Sequence, residues 1–335
     1  MNNAADKAVF LKGGTALRRR LRILTWHVHG NYLYSLTQAP HDFIVPTLPG
    51  NPAGYGALGP KIPWGSNVFQ VQAHELHNEK LDCVIYQSRN VFERDRFDLL
   101  TPQQQALPCA YIEHNPPEPH PTDSVHFFRH DNGVLVHVTP YNALMWHSPG
   151  VCTRIIEHGV IASPTPLYTG ELTRGITAIN HLKQRGRRVG ADIYEWAASH
   201  VPLDLIGMQS EAMGGLGEVS NMQVPAYMAR YRFFFSPIRY ASLGLSLIEA
   251  MMAGMPVVGV AATELPNVIA NGVNGYVDSR RDRLLACMQQ LLHEPALAQA
   301  WGQAARETAR KRFSINRYID DWNDILIQLT GVRHE

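Results

Sequence analysis

A two-domain α/β protein is expected of this chain on three observations. Short apolar runs of strand length alternate with helical segments, once through each half of the sequence. A turn element followed by Pro164 and Pro166 separates the halves. The 335 residues also exceed one simple core and fit two domains of about 150 residues each.

Composition narrows the function classes. Hydrophobic residues make up 45% and charged residues 18%, as in ordinary globular proteins. A formal net charge of +1 gives no footing for a nucleic-acid binder, whose domains are strongly basic. Cys83, Cys109, Cys152 and Cys287 lie far apart, which argues against a zinc cage or a disulfide framework and suits a reducing, cytoplasmic compartment. No apolar run approaches the roughly 20 residues that cross a bilayer, and the first twenty residues lack the apolar core of a secretion signal. The arginines at 18, 19, 20 and 22 read as a solvated lead-in to the first strand, or as peripheral contact with anionic lipid at the inner face of a membrane.

In the first half a strand over 22–26 ends at His27-Val28-His29-Gly30-Asn31. Residues 40–63, rich in Gly and Pro, read as one long irregular loop. Further strands are expected over 83–86, 109–112 and 134–138, each ending near turn residues. This gives a first domain over 21–152 preceded by an extension of residues 1–20. The second domain, 153–314, has strands over 176–179 and 203–206 and helices over 189–199 and 224–231. From 281 the pattern is helical to 329. Ile315, Tyr318, Ile319, Trp322, Ile325, Leu326 and Leu329 form one apolar stripe that must pack on something, the first domain being one candidate.

Residues 235–278 are the most informative stretch. An aromatic strand ending in Phe233-Phe234-Phe235 leads through a slim loop, Ser242-Leu243-Gly244-Leu245, into a helix over 246–253, closed by Gly254 and Pro256 before a strand over 257–260. A βαβ turn of this kind aims free amides and a positive helix end at one place outside the sheet, where anions bind. Glu249, a turn into the helix and flanked by apolar residues, adds an acceptor suited to a ribose diol.

The stretch from Arg230 to Asp278 resembles the donor-binding core of GT-B glycosyltransferases of retaining family 4, the glycosyltransferase group 1 type. The likeness extends more loosely to the first strand and its Gly turn, Ile112-Glu113-His114, Ile156-Glu157-His158-Gly159-Val160 and residues 187–192. It implies two Rossmann-like domains facing across a cleft, with a C-terminal helix, 315–335, crossing back to the first. It further implies transfer of a sugar from a nucleotide-diphosphate donor to a glycan or lipid-linked acceptor, commonly in cell-envelope polysaccharide or glycolipid synthesis, with no cofactor and no metal. The family carries two glutamates eight positions apart. Here the second is Glu249 but the first is Ala241, and Glu264 in the next loop is a candidate for the missing carboxylate.

Departure of a nucleoside diphosphate needs fixed donors when no metal is present. The amides of Ser242, Leu243, Gly244 and Leu245 supply one set, and the turn at Gly30 and Asn31 allows close approach from the other domain. The resemblance places cations after the strand over 176–179. His181 stands where the family has arginine, and Arg187 or Arg188, within a basic cluster with Lys183 and Arg185, replaces its lysine. His114 corresponds to a histidine beside the reacting sugar. The acceptor attacks from the leaving-group face and the departing phosphate takes its proton, so no protein nucleophile is named. Other readings are an epimerase or hydrolase using Glu113 or Glu118, and a weak nucleotide-sugar-binding subunit because of Ala241. His27-Val28-His29 resembles a paired-histidine metal motif, but the remaining ligands of such a set are missing from the sequence.

Overall fold

The computed structural model describes residues 19–332. Arg18 and residues 333–335 of the expected final helix lie outside the described residues. Seven parallel strands form the first sheet: β1 (Arg22–Thr25), β2 (Asp42–Thr47), β3 (Val68–Gln72), β4 (Cys83–Tyr86), β5 (Cys109–Glu113), β6 (Gly133–His137) and β7 (Thr153–Ile155), in the order 3-2-1-4-5-6-7. A second parallel sheet contains β8 (Leu172–Ala178), β9 (Leu203–Ile206), β10 (Tyr231–Ser236), β11 (Val257–Val260) and β12 (Gly275–Asp278), in the order 12-11-10-8-9. This is a GT-B fold.

Parallel sheets are covered on both faces, so their central strands are apolar throughout. All of β4 and all of β10 are buried accordingly. Strand order reverses between β1 and β4 in one sheet and between β8 and β10 in the other. Crevices outside such reversals are where open α/β sheets bind ligands. The loops that leave β5, β10 and β11 meet across the gap between the sheets, so the two crevices face one another.

Residues 40–63 are not one irregular loop. Phe43-Ile44-Val45-Pro46 lies in β2, an interior strand. Proline is tolerated there because of the ladder's geometry. The Asp42 amide donates toward β1 and that of Phe43 toward β3, so alternation aims the Pro46 nitrogen to the β1 side. The β1 ladder ends at Ile44, so the missing N–H falls at the ladder's end and not inside it. The first sheet also extends past the boundary expected at 152/153, because β7 continues it to Ile155.

The helical tail divides at Pro295 and again at Ser314 into Arg281–His293, Pro295–Arg312 and Ile315–Thr330. Ser314 caps the last helix by accepting from the Arg317 amide. Tyr318, Trp322, Ile325 and Leu326 of that helix share one core with Leu21, Ile23, Phe43 and Ile85 of the first domain. Gly159 allows the crossing, since a Cβ there would collide with the Tyr318 side chain. The helix over Val224–Met228 is shorter than expected, because Tyr231 already opens β10. Among the described residues no helix is long and apolar enough to cross a membrane.

Arg19, Arg20 and Arg22 pair with Asp82, Asp42 and Glu79 respectively. The basic lead-in is therefore largely neutralised.

Candidate functional site

After β10 the chain turns through Pro237 to Gly244 and enters the helix Leu245–Ala253. The amides of Leu247 and Ile248 already bond the Gly244 carbonyl, whereas those of Leu245 and Ser246 have no protein acceptor among the described residues. Those two orphan donors, with the helix dipole behind them, form the anion-seeking end. Gly244 leaves it unobstructed. A Cβ there would have only Ser246 Oγ nearby, at 3.8 Å.

The rest of the loop is engaged in joining the domains. Ser242 Oγ donates to the His114 carbonyl at 2.5 Å and accepts from Asn142 Nδ2 at 2.6 Å. Tyr240 OH donates to the Pro117 carbonyl at 3.0 Å. Leu243 is buried in the second domain's core, and its backbone hydrogen-bonds His158 of the interdomain segment. The free amides therefore lie at the Gly244 end of the 242–245 loop, and Ser242 and Leu243 hold that loop against the first domain and the interdomain segment.

Glu249 is half-buried, and no donor among the described residues reaches its carboxylate. Burial raises its pKa from 4.5 to about 7. An acid without a protein partner is suited to receive hydroxyls. Ala241, by contrast, packs its methyl into an apolar cluster with Leu182, Val189 and Phe235. Glu264 does not replace the missing glutamate. It is fully buried, ion-paired with Arg312 at 2.6 Å and accepting from the Tyr141 amide at 3.0 Å, so it fastens the domains together.

The opposite wall comes from the ends of β1, β4 and β5. His29 precedes the short helix Gly30–Leu36, and its ring stands edge-on to His114 with centroids 4.4 Å apart. Tyr32 packs against both His114, at 4.7 Å, and His158, at 5.6 Å. All three imidazoles are biased toward the neutral form. Burial first, then His29 and His158, keep the His114 pKa well below its ordinary value. Burial and Arg185 lower that of His29. Burial, with His29 and Arg317 and against the Leu243 backbone, lowers that of His158 to about 4. Gly30 sits close under His27, and the Asn31 side chain, half-buried, has no hydrogen-bond partner among the described residues.

The basic cluster divides. Arg187 turns away to Asp192 at 2.8 Å, with its side chain 76% exposed. Arg188 reaches across the gap and pairs with Glu118 of the first domain. His181 takes a left-handed conformation with φ 55, and its Nδ1 is enclosed without a partner. Arg185 is the cluster's cation whose charge reaches His29, and among the described residues no carboxylate pairs with it. It keeps contact with water, yet enough protein crowds it to lower its pKa, as on the wall of a cleft.

Sequence reading singled out His114, Gly244 and Glu249 but passed over His29, Gln87, His158 and Asn142. His29 and His158 were legible within quoted motifs, whereas Gln87 and Asn142 carried no signal. The His27-Val28-His29 pair does not converge, since His27 Nδ1 faces the Gly56 carbonyl at 3.1 Å. Among the described residues no group of three or more His, Cys, Asp or Glu is placed to hold a metal ion. Beside His114 a cavity of about 410 Å³ is lined by Gln87, Arg89, Tyr111, Phe127 and Trp146.

Residues 210–308, which contain the helix end and Glu249, match the family model described as glycosyl transferases group 1. Residues 210–308 therefore form a glycosyltransferase group 1 segment. A stretch of 88 residues is 32% identical to trehalose synthase of Pyrococcus horikoshii, covering 26% of this chain and 21% of that protein. The chain thus spans about a fifth of the length of that curated relative. The glycosyltransferase architecture extends further than sequence identity. Sucrose-phosphate synthase from Thermosynechococcus elongatus superposes with a TM-score of 0.67 at 16% identity, over 94% of this chain and 100% of that one. HepE from Anabaena, solved in complex with UDP, superposes with a TM-score of 0.64 at 15% identity, over 92% and 100%.

Proposed function

We propose that this protein is a metal-independent, retaining glycosyltransferase that moves a sugar from a nucleotide-diphosphate sugar to a glycan or lipid-linked acceptor. One observation carries the reading. Among the described residues, a helix end with two unpartnered amides and an unobstructed glycine follows a loop that bonds the His114 carbonyl of the first domain, and the charge of Arg185 is felt at His29 beside His114. The amides of Leu245 and Ser246 and the Arg185 guanidinium take the charge that develops on the leaving diphosphate. Glu249 receives the ribose hydroxyls, and His114 hydrogen-bonds the sugar. The bond from the anomeric carbon to phosphate oxygen breaks while that to the acceptor oxygen forms on the same face. The acceptor proton passes to the departing phosphate oxygen. The aromatic cavity beside His114 is where the acceptor lies.

HepE, which shares the fold, was solved with UDP and with UDP-glucose, which supports a nucleotide-sugar donor here. Transfer is favoured over epimerisation because the candidate acids are engaged elsewhere. Glu113 accepts from the Asn115 amide and faces His126, and Glu118 pairs with Arg188. Synthesis of a cell-envelope polysaccharide or glycolipid is the setting we assign. The carboxylate partners of Arg19, Arg20 and Arg22 weigh against lipid contact through those three side chains.

A thermal-shift screen against UDP, GDP, ADP and their sugars tests the reading. One nucleotide series should raise Tm, and EDTA should leave turnover of the matching sugar unchanged. No shift with any of them would overturn the proposal, and sugar rearranged without acceptor would favour epimerisation.

A further inference from the structure

The hydrogen bonds behind His114 decide which of its ring nitrogens meets the cleft. Gln87 follows β4, and its Nε2 lies 3.1 Å from Thr25 Oγ1 and 3.2 Å from the Trp26 carbonyl. A carbonyl oxygen only accepts, so the atom facing Trp26 has to be the amide NH2, and the Gln87 orientation is fixed by its surroundings. Its Oε1 is thereby turned to His114 Nε2, 3.1 Å away, and needs a donor there. His114 Nε2 therefore carries hydrogen. In a neutral imidazole the other nitrogen, Nδ1, then holds a lone pair. No protein donor among the described residues reaches Nδ1, and His114, half-buried, lines the cavity beside the interdomain gap. The ring stays open on that side even though Tyr32 and His29 crowd it edge-on.

We infer that Gln87 is a positioning residue that fixes His114 in the Nε2–H form, so that the cleft meets a hydrogen-bond acceptor. The ligand group taken at His114 is then a donor, a sugar hydroxyl rather than a carboxylate or carbonyl oxygen. Naming that group a sugar hydroxyl rests on the proposed function; the tautomer does not. Gln87 exerts this selection without touching the ligand itself. Its amide is anchored to the end of β1, so the register of β1, β4 and β5 sets the chemistry of the pocket wall.

The test is a nitrogen-15 spectrum of the full chain labelled at histidine, at pH 7 without ligand, with the His114 signals assigned from His114→Gln. The expected result is a protonated Nε2 and a bare Nδ1 in the wild type, moving to a mixture of tautomers in Gln87→Met. A wild-type His114 protonated at Nδ1, or a Gln87→Met spectrum identical to wild type, would overturn the inference. If Gln87→Met does not fold, the wild-type signals decide alone. Because no substrate is present, failure here is separate from failure to observe sugar transfer.

Discussion

Glu249 provides the sharpest quantitative expectation. Its carboxyl has no protein partner, and burial raises its pKa to about 7. A ribose diol donating two hydrogen bonds favours the ionised form and would return the group toward its ordinary range. Binding below pH 7 then requires loss of a proton, so affinity falls about tenfold per pH unit there and levels off above. Between pH 8 and pH 6 the worked loss is about tenfold, or about 1.4 kcal/mol. UDP-glucose is the suitable probe, because a free terminal phosphate itself titrates near 6 and would confuse the slope. His114, held well below its ordinary value, and His158, lowered to about 4, remain neutral across this window. Calorimetry at pH 6, 7 and 8 in buffers of different ionisation heat should show proton release at pH 6 and little at pH 8. Glu249→Gln should weaken binding and remove the slope. A flat affinity in the wild type, or the same slope in the variant, would refute the assignment.

The same shift has a stability consequence. A carboxyl whose folded pKa is raised stabilises the fold below its unfolded pKa and loses that contribution as pH rises through 7. Glu249→Gln should therefore gain up to about 3 kcal/mol at pH 8 and nothing at pH 4, read from denaturant midpoints. His137 and His158 act in the opposite direction, both lowered to about 4 chiefly by burial. The unfolded chain takes up protons below about 6.5 that these rings refuse, so stability should fall between pH 6.5 and pH 4, and His137→Asn should flatten that fall. Gly244→Val fits the space and the backbone, φ −73 and ψ 142, and should leave Tm within a few degrees while abolishing nucleotide binding in calorimetry. Arg185→Ala should weaken UDP-glucose binding at least about tenfold, the scale of one lost charged hydrogen bond. Arg187→Ala, an exposed residue already paired with Asp192, should change it less than about twofold; equal effects of the two would contradict the assignment of the cation.

What was legible in the sequence followed period and punctuation. The aromatic run of β10, the Gly254 stop and the apolar stripe from Tyr318 to Leu326 each had a local physical signature, and the folded elements follow them. β2 escaped notice because Pro40, Pro46 and Pro49 mark a loop by composition. Only knowledge of where the β1 ladder ends shows that Pro46 falls beyond it. Side-chain partners were harder still. Arg185 and Arg187 are two residues apart in one basic loop, and helix geometry alone decides which faces the gap. Gln87 and Asn142 are ordinary polar residues until the strands bring Trp26, His114 and Ser242 beside them. Glu264 had the right residue type one loop away, but its partner Arg312 lies 48 positions on.

The account stands on a diphosphate seated at the start of the helix Leu245–Ala253. A crystal structure of the protein with UDP-glucose tests this most directly. The predicted result is phosphate oxygens accepting from the Leu245 and Ser246 amides, with Arg185 on the same group and the ribose on Glu249. Nucleotide bound elsewhere, with those amides still facing water, would contradict it.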